Sequence, residues 1–272
     1  MEEIIINQLL QSFSSPPLDL FFQIITYLGH PAFWVFIAAW FFWSGKEKKS
    51  LATMTVVLFA SVVSGVLKFV IARPRPEGLL VLEENASFSM PSGHTTIITA
   101  IYAFAKDKVK PHEKKILLLS VLIAAISRLY LGVHYLSDVL AGAILGYIIG
   151  KLVWKFYGKI KKLKFHITKI REEFFIIALI IITLILLGVL PEWLTAGFVI
   201  IGYYIGYAIF RHTKIKVQPK NKTNSIILGT IILALIGVTA LSLQGILSQL
   251  TFLIAGTFIT LIWPFIAEKL KL

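Results

Sequence analysis

Apolar runs of membrane length recur along this chain and dictate most of what it can become. FFIIALIIITLILLGVL (174–190) carries no charge, and comparable stretches return at intervals between residues 18 and 267. A bilayer core needs about 20 consecutive apolar residues when crossed as a helix. Spans are expected at 18–43, 50–71, 92–106, 115–132, 137–157, 173–190, 194–210, 225–243 and 249–267. The expected fold is therefore all-α, a polytopic transmembrane helical bundle of about nine spans. Gly29, His30 and Pro31 fall in the middle of the first span, where one continuous helix and an interfacial helix followed by a short span are both open. The opening MEEIIINQLLQSF lacks the positive region of a cleaved signal peptide and reads as mature sequence, with residues 4–13 as a short amphipathic helix in the interface.

Charge orients the bundle. Spans alternate in direction, so the loops form two sets, and one set holds 23 of the 27 Lys and Arg residues. By the positive-inside rule that set is cytoplasmic, which puts the N-terminus outside and the C-terminus inside. The formal charge of +13 is thereby explained by membrane orientation, and nucleic acid is not an expected partner. The absence of cysteine excludes disulfides, thiolate metal sites and thiol nucleophiles.

Lys68, Arg73, Arg75 and Arg128 are the four exceptions, all at or near outer span ends. A single cation there would be read as snorkelling. Four on one face, accompanied by His94, His134 and Asp138, instead suggest a site for an anion, since Arg presents a planar fork to phosphate oxygens and Lys a point charge. The stretches are KFVIARPRPEG (68–78), SMPSGHTT (89–96) and SRLYLGVHYLSD (127–138).

These residues resemble the three-part signature of the type 2 phosphatidic acid phosphatase superfamily. Lys68, Arg75 and Pro76 match its first part, Pro91, Ser92, Gly93 and His94 its second, and Ser127, Arg128, His134 and Asp138 its third. The resemblance covers roughly residues 18–157, with both internal spacings intact. It implies a metal-independent phosphatase, without cofactor, that works through a phosphohistidine intermediate.

Physical reading points the same way. Pro91 precedes a span that begins near Ser92, so free amides of Ser92, Gly93 and their neighbours are expected at a helix N-terminus, an anion site. Lys68, Arg75 and Arg128 are expected to hold the remaining phosphate oxygens. If locally helical, His134 and Asp138 share a face, so the carboxylate can orient one ring nitrogen and leave the other as nucleophile. His94 is then the expected proton donor to the leaving oxygen and later the base for water. Asp138 is the only acidic residue of the signature, whereas a two-metal phosphatase needs several carboxylates, so no metal is expected.

Other features take plainer readings. His30 reads as a helix-break residue isolated from the signature, and Arg73 as a snorkelling side chain rather than a contact to a second phosphate. Glu77, Glu83 and Glu84 read as solvated loop charges. KIKKLKFHITKIREE (159–173) reads as a basic segment against anionic lipid, Asn221 as a glycosylation triplet on the wrong side, and Trp43, Trp154, Tyr157 and Trp193 as an aromatic belt.

The division expected is a catalytic transmembrane core over residues 1–158 and a C-terminal appendage of unknown role over 159–272, in which Gly202, Gly206 and Gly229 offer small-residue contacts. The expected partners are the bilayer and a lipid phosphate, and a homo-oligomer through the appendage stays open. Within the resembling family the reading favours polyprenyl (undecaprenyl) diphosphate at the outer face of the cell membrane. Phosphatidate, phosphatidylglycerophosphate, a sphingoid phosphate and glucose 6-phosphate are the alternatives. A non-enzymatic lipid or anion transporter, and a serine hydrolase built on Ser92, are the competing classes, but two histidines and an aspartate exceed what a binding vestibule needs and MPSGH lacks a nucleophile elbow.

Overall fold

Proline and glycine punctuate the helices. α1 (Ile5–Gln11) follows a short 3-10 turn, and Pro16 and Pro17 open α2 (Pro16–Ile25), where their missing amides would have had no intrahelical acceptor. A 3-10 turn over Thr26–Gly29 then ends at His30, and Pro31 starts α3 (Pro31–Trp43). α4 (Glu47–Ile71) stops at Ala72, whose φ of 48° is left-handed, and the following Arg-Pro-Arg-Pro cannot resume a helix. α5 (Gly93–Ala105), α6 (Pro111–Tyr130) and α7 (Leu136–Lys161) carry the rest of the signature, and Glu113 caps α6 by accepting from the Lys110 amide at 2.7 Å. α8 (Leu194–Phe210), α9 (Lys222–Ser242) and α10 (Gly245–Thr257) follow, and a π turn at Phe258–Ile262 joins α10 to α11 (Trp263–Lys269). This computed structural model describes residues 2–82, 87–161, 177, 194–213, 222–270 and 272, and among them every regular element is helical.

Each expected span that falls on described residues is helical; the one at 173–190 lies outside them. Four helices are long and apolar enough to cross a membrane, within Glu47–Ile71, Leu136–Phe156, Thr223–Ser242 and Gly245–Lys269, and five if Pro16–Gly29 and Pro31–Trp43 count as one broken span. That pair bends by 57° at His30, which decides against a continuous first helix. α5, at 13 residues, would rise only about 20 Å, short of a hydrocarbon core. α6 is long enough but has Glu113, Lys114 and Lys115 in its opening turns and Arg128 near its end. The protein is thus a multi-span integral membrane protein, with four to five candidate spans among the described residues.

The described chain divides into two compact units, one of Met1–Trp34 and Thr55–Gly158, the other of Val35–Met54 and Lys159–Leu272. In the first, α7 lies against α5 along Gly142, Gly146 and Gly150. A Cβ on Gly146 would stand 2.3 Å from the Thr96 carbonyl oxygen, so only glycine permits this approach. Three of the hydroxyls buried in this unit return to the backbone one turn earlier: Thr96 donates to Ser92 O at 2.8 Å, Ser64 to Ser61 O at 3.0 Å and Ser127 to Ala124 O at 2.7 Å. α1 is amphipathic in an unusual sense. Ile5, Leu9 and Phe13 are exposed on its outer side, as suits a helix at a bilayer surface, while Asn7 is fully buried.

In the second unit, α8 and α10 approach closely at Gly202 and Gly256, each of which would set a Cβ 2.0 Å from a backbone oxygen of the facing helix. Gly206 and Gly229 would set a Cβ 2.3 Å from Thr260 Oγ1 and 2.7 Å from Trp263 Nε1, so the small residues read from the sequence are contact points. Trp43, expected in an aromatic belt, is instead buried: its indole donates to Ile259 O at 2.9 Å and its ring packs on Phe258 and Trp263. Trp154 remains partly exposed beneath Lys108, 3.6 Å from its ring. Trp193, Asn221 and most of 159–173 lie outside the described residues.

Candidate active site

Everything the signature contributes lies in the first unit. α6 delivers Ser127 and Arg128 at its C-terminal end, a tight loop carries His134, and α7 presents Asp138 in its first turn. Gly132 makes that loop possible. Its φ is +75°, and a Cβ there would fall 2.5 Å from the Leu80 carbonyl oxygen. Tyr130, Leu131 and Val133 turn inward and pack with Leu10, Leu18, Phe22 and Leu82, which anchors the loop.

Asp138 is fully buried and each carboxylate oxygen is engaged. Oδ2 faces His134 Nδ1 at 3.4 Å and accepts from the Tyr135 amide at 2.9 Å; Oδ1 accepts from Arg73 Nη1 at 2.8 Å. The i,i+4 spacing does bring His134 and Asp138 together. Burial pushes the His134 imidazole well below its ordinary range, and the positive charges of Arg128, Lys68 and Arg75 push the same way, so three signature cations converge on this ring. A hydrogen bond with the Ser89 backbone acts in the opposite direction.

Two of the cations, Lys68 and Arg75, are held by the loop that precedes α5. Lys68 Nζ donates to Phe88 O and, at 3.3 Å, to Ser89 O. Arg75 bridges this loop and the histidine loop, donating to Ser87 O at 2.7 Å and to Val133 O at 2.6 Å. Arg128 is wholly buried and donates to the Thr26 hydroxyl at 2.7 Å. Ser92 precedes α5 in an extended conformation, after a cis Met90–Pro91 peptide. Its amide is not free, contrary to expectation; it donates to Asp138 O at 3.0 Å and ties the start of α5 to the start of α7. The first intrahelical bond of α5 runs from Thr96 N to Ser92 O, so the amides of Gly93, His94 and Thr95 have no intrahelical acceptor.

Two residues that the sequence reading set aside belong here. His30 is not isolated: its ring centroid lies 5.6 Å from that of His94, and a Cβ on Gly29 would stand 2.6 Å from His94 Cβ. The signal available was the Gly-His-Pro break itself, since a bend needs a neighbour to fill it. Arg73 does not snorkel. Besides Asp138 it contacts Ser137 Oγ at 2.6 Å, pairs with Glu3 Oε2 and stacks over the Tyr135 ring at 4.0 Å. Glu77 is exposed as expected, while Glu83 and Glu84 lie outside the described residues. Glu3, Arg73, Arg75, Glu77 and Tyr135 line a cleft of about 680 Å³ beside this network. Among the described residues, no three His, Asp or Glu side chains group together as a metal site would require.

A helical membrane bundle with cations converging on a buried His–Asp pair describes a class of phosphate-handling membrane enzymes. Residues 49–162 match the family model of the PAP2 superfamily. Phosphatidylglycerophosphatase B of Bacillus subtilis is 36% identical over 154 residues, which span 52% of this chain and 75% of that protein. Dihydrosphingosine 1-phosphate phosphatase of Schizosaccharomyces pombe is 33% identical over 161 residues, 53% of this chain and 39% of its own. The crystal structure of a PAP2 type phosphatidylglycerolphosphate phosphatase from Bacillus subtilis superposes with a TM-score of 0.53 at 30% identity, over 60% of this chain and 88% of that one. This chain belongs to the PAP2 superfamily and is a phosphatase, which sets aside the transporter and serine-hydrolase readings.

Proposed function

We propose that the protein hydrolyses a membrane lipid phosphate or diphosphate through a phosphohistidine at His134. The observation that carries this reading is the arrangement around Asp138: Oδ2 on the His134 side at 3.4 Å, Oδ1 fixed by Arg73 at 2.8 Å. With its proton on Nδ1 facing the carboxylate, His134 turns the lone pair of Nε2 toward phosphorus. Nε2 attacks, the bond from phosphorus to the leaving oxygen breaks, and His94 supplies the proton that oxygen needs. Water then attacks the phosphorus of the P–N adduct, His94 accepts the water proton, and phosphate departs. Lys68, Arg75, Arg128 and the first-turn amides at Gly93 neutralise the charge that builds on the equatorial oxygens, and Ser92 sets the start of that turn. Arg75 and Lys68 then exchange loop carbonyls for phosphate oxygens.

The reading of substrate is lateral access from the bilayer, the tail staying in lipid and the headgroup reaching the cleft beside Arg73 and Arg75. The positive-inside distribution supports an outward-facing site, N-terminus outside and C-terminus inside, in the cell membrane. Polyprenyl (undecaprenyl) diphosphate fits a site of that kind. Phosphatidylglycerophosphate is the second reading, favoured by the relative of which this chain spans 75%. Residues 1–158 act as the catalytic core, and 159–272 as an appendage that shapes lipid access or joins two copies.

Phosphate release from purified protein in EDTA, on polyprenyl diphosphate, phosphatidylglycerophosphate, phosphatidate and a soluble phosphomonoester, tests this reading. Release that persists in chelator and disappears in His134→Ala supports it, and the preferred substrate chooses between the two. Full activity in folded His134→Ala overturns the assigned nucleophile.

A further inference from the structure

We propose that the N-terminal helix is an active-site clamp, with Asn7 as the residue that positions the His134 loop. The inference rests on the His134 reading above and goes beyond it, because residues 2–11 lie outside the 49–162 matched by the family. Glu3, Asn7 and Gln11 recur every four residues, so they form one stripe on one face. Asn7 on that stripe is buried and Gln11 partly so, while Glu3 is exposed and reaches Ser137 and Arg73 from the surface. Ile5, Leu9 and Phe13 point outward, the reverse of a helix that floats on a bilayer with its polar face to water.

Each member of the stripe grips a different part of the loop. Asn7 Nδ2 donates to Leu129 O at 2.8 Å and to His134 O at 2.9 Å, so a single amide bridges the two ends of the turn that separates Arg128 from His134. Gln11 donates to Tyr130 O at 2.8 Å and to Leu80 O at 2.7 Å, and accepts from the Leu80 amide at 3.0 Å. Glu3 accepts from Ser137 Oγ at 2.6 Å and pairs with Arg73, which in turn holds Asp138.

A packing role alone does not explain Asn7. It is fully buried and its Oδ1 has no hydrogen-bond partner among the described residues, an unfavourable arrangement that an apolar side chain would avoid. What an apolar side chain cannot do is donate twice. The two donated bonds end on the carbonyl of His134 itself and on that of Leu129, directly after Arg128, so they fix the distance between the nucleophile and a phosphate-binding guanidinium.

The test is a comparison of inhibitors. Orthovanadate mimics the trigonal-bipyramidal state and must bond the nucleophile nitrogen, whereas inorganic phosphate needs only the cations. Full-length wild type, Asn7→Ala and His134→Ala are assayed on a short-chain phosphatidate alongside thermal unfolding in detergent. His134→Ala reports on the mechanism independently of the clamp. For folded Asn7→Ala, a loss in kcat of about 10-fold or more is expected, with vanadate inhibition weakened by a similar factor and phosphate inhibition changed less than about 3-fold. Should Asn7→Ala not fold, the double variant Glu3→Ala/Gln11→Ala, at less buried positions, carries the decision in the same readouts. Wild-type kcat and vanadate inhibition in a folded variant, or equal weakening of vanadate and phosphate, overturns the proposal.

Discussion

Arg73 and Asp138 form an ion pair at 2.8 Å in which the carboxylate is fully buried and the guanidinium mostly so. The same guanidinium nitrogen also reaches Ser137 Oγ at 2.6 Å. Arg73 thus occupies the side of Asp138 that His134 does not use, and the carboxylate has no freedom to turn away from the histidine.

Replacing Arg73 by Gln should therefore harm both folding and rate. Leaving a buried carboxylate without its partner costs about 2–4 kcal/mol in comparable pairs. Unfolding of Arg73→Gln in detergent is expected to show that loss, and kcat is expected to fall about 10-fold or more as Asp138 gains alternative rotamers. Unchanged stability would show that the pair contributes nothing net.

Close packing of α5 on α7 makes a second prediction. Gly146→Ala would place a methyl 2.3 Å from the Thr96 carbonyl, so the helices must separate, at a cost of about 2 kcal/mol or more. Gly237 has open space around it, and Gly237→Ala is expected to be neutral or slightly stabilising in the same unfolding assay.

Gly29 offers a sharper test of the broken helix. Its α-carbon abuts His94, so Gly29→Ala is expected to displace the proton donor and lower kcat about 10-fold or more while KM changes little. A parallel loss in the rate of the first-turnover burst on an activated aryl phosphate, whose leaving oxygen needs no proton, would contradict His94 as the acid.

pH dependence follows from His134. Its folded pKa lies below the unfolded value of about 6.5, so above that pH the ring is neutral in both states and adds no slope. As pH falls below about 6.5 the unfolded chain takes up the proton first, and stability declines until the folded pKa is reached. Chemical unfolding between pH 7 and 5 is expected to show a shallower decline in His134→Gln than in wild type.

The sequence carried the chemistry further than the architecture. His134 and Asp138 were legible because their contact is local, four residues apart, although His134 sits in the loop before α7 and not on the helix itself. The bend at His30 was legible as a conflict between an apolar run and Gly-His-Pro. The N-terminal stripe was not, because Asn7 meets its partners across 122 and 127 residues of chain, and a polar residue on an amphipathic helix reads as facing water. Arg73 was misread for a related reason: an arginine after a span reads as snorkelling until its distant carboxylate is located. Trp43 was placed at an interface by its position at a helix end, whereas Phe258 and Trp263 enclose it.

Rapid acid-free quenching of turnover on a lipid phosphate, followed by measurement of protein-bound phosphoryl group, tests the central claim most directly. A phosphoenzyme that is stable to base, labile to acid and absent in His134→Ala is the predicted result. Retention of the labelled species in folded His134→Ala would contradict it.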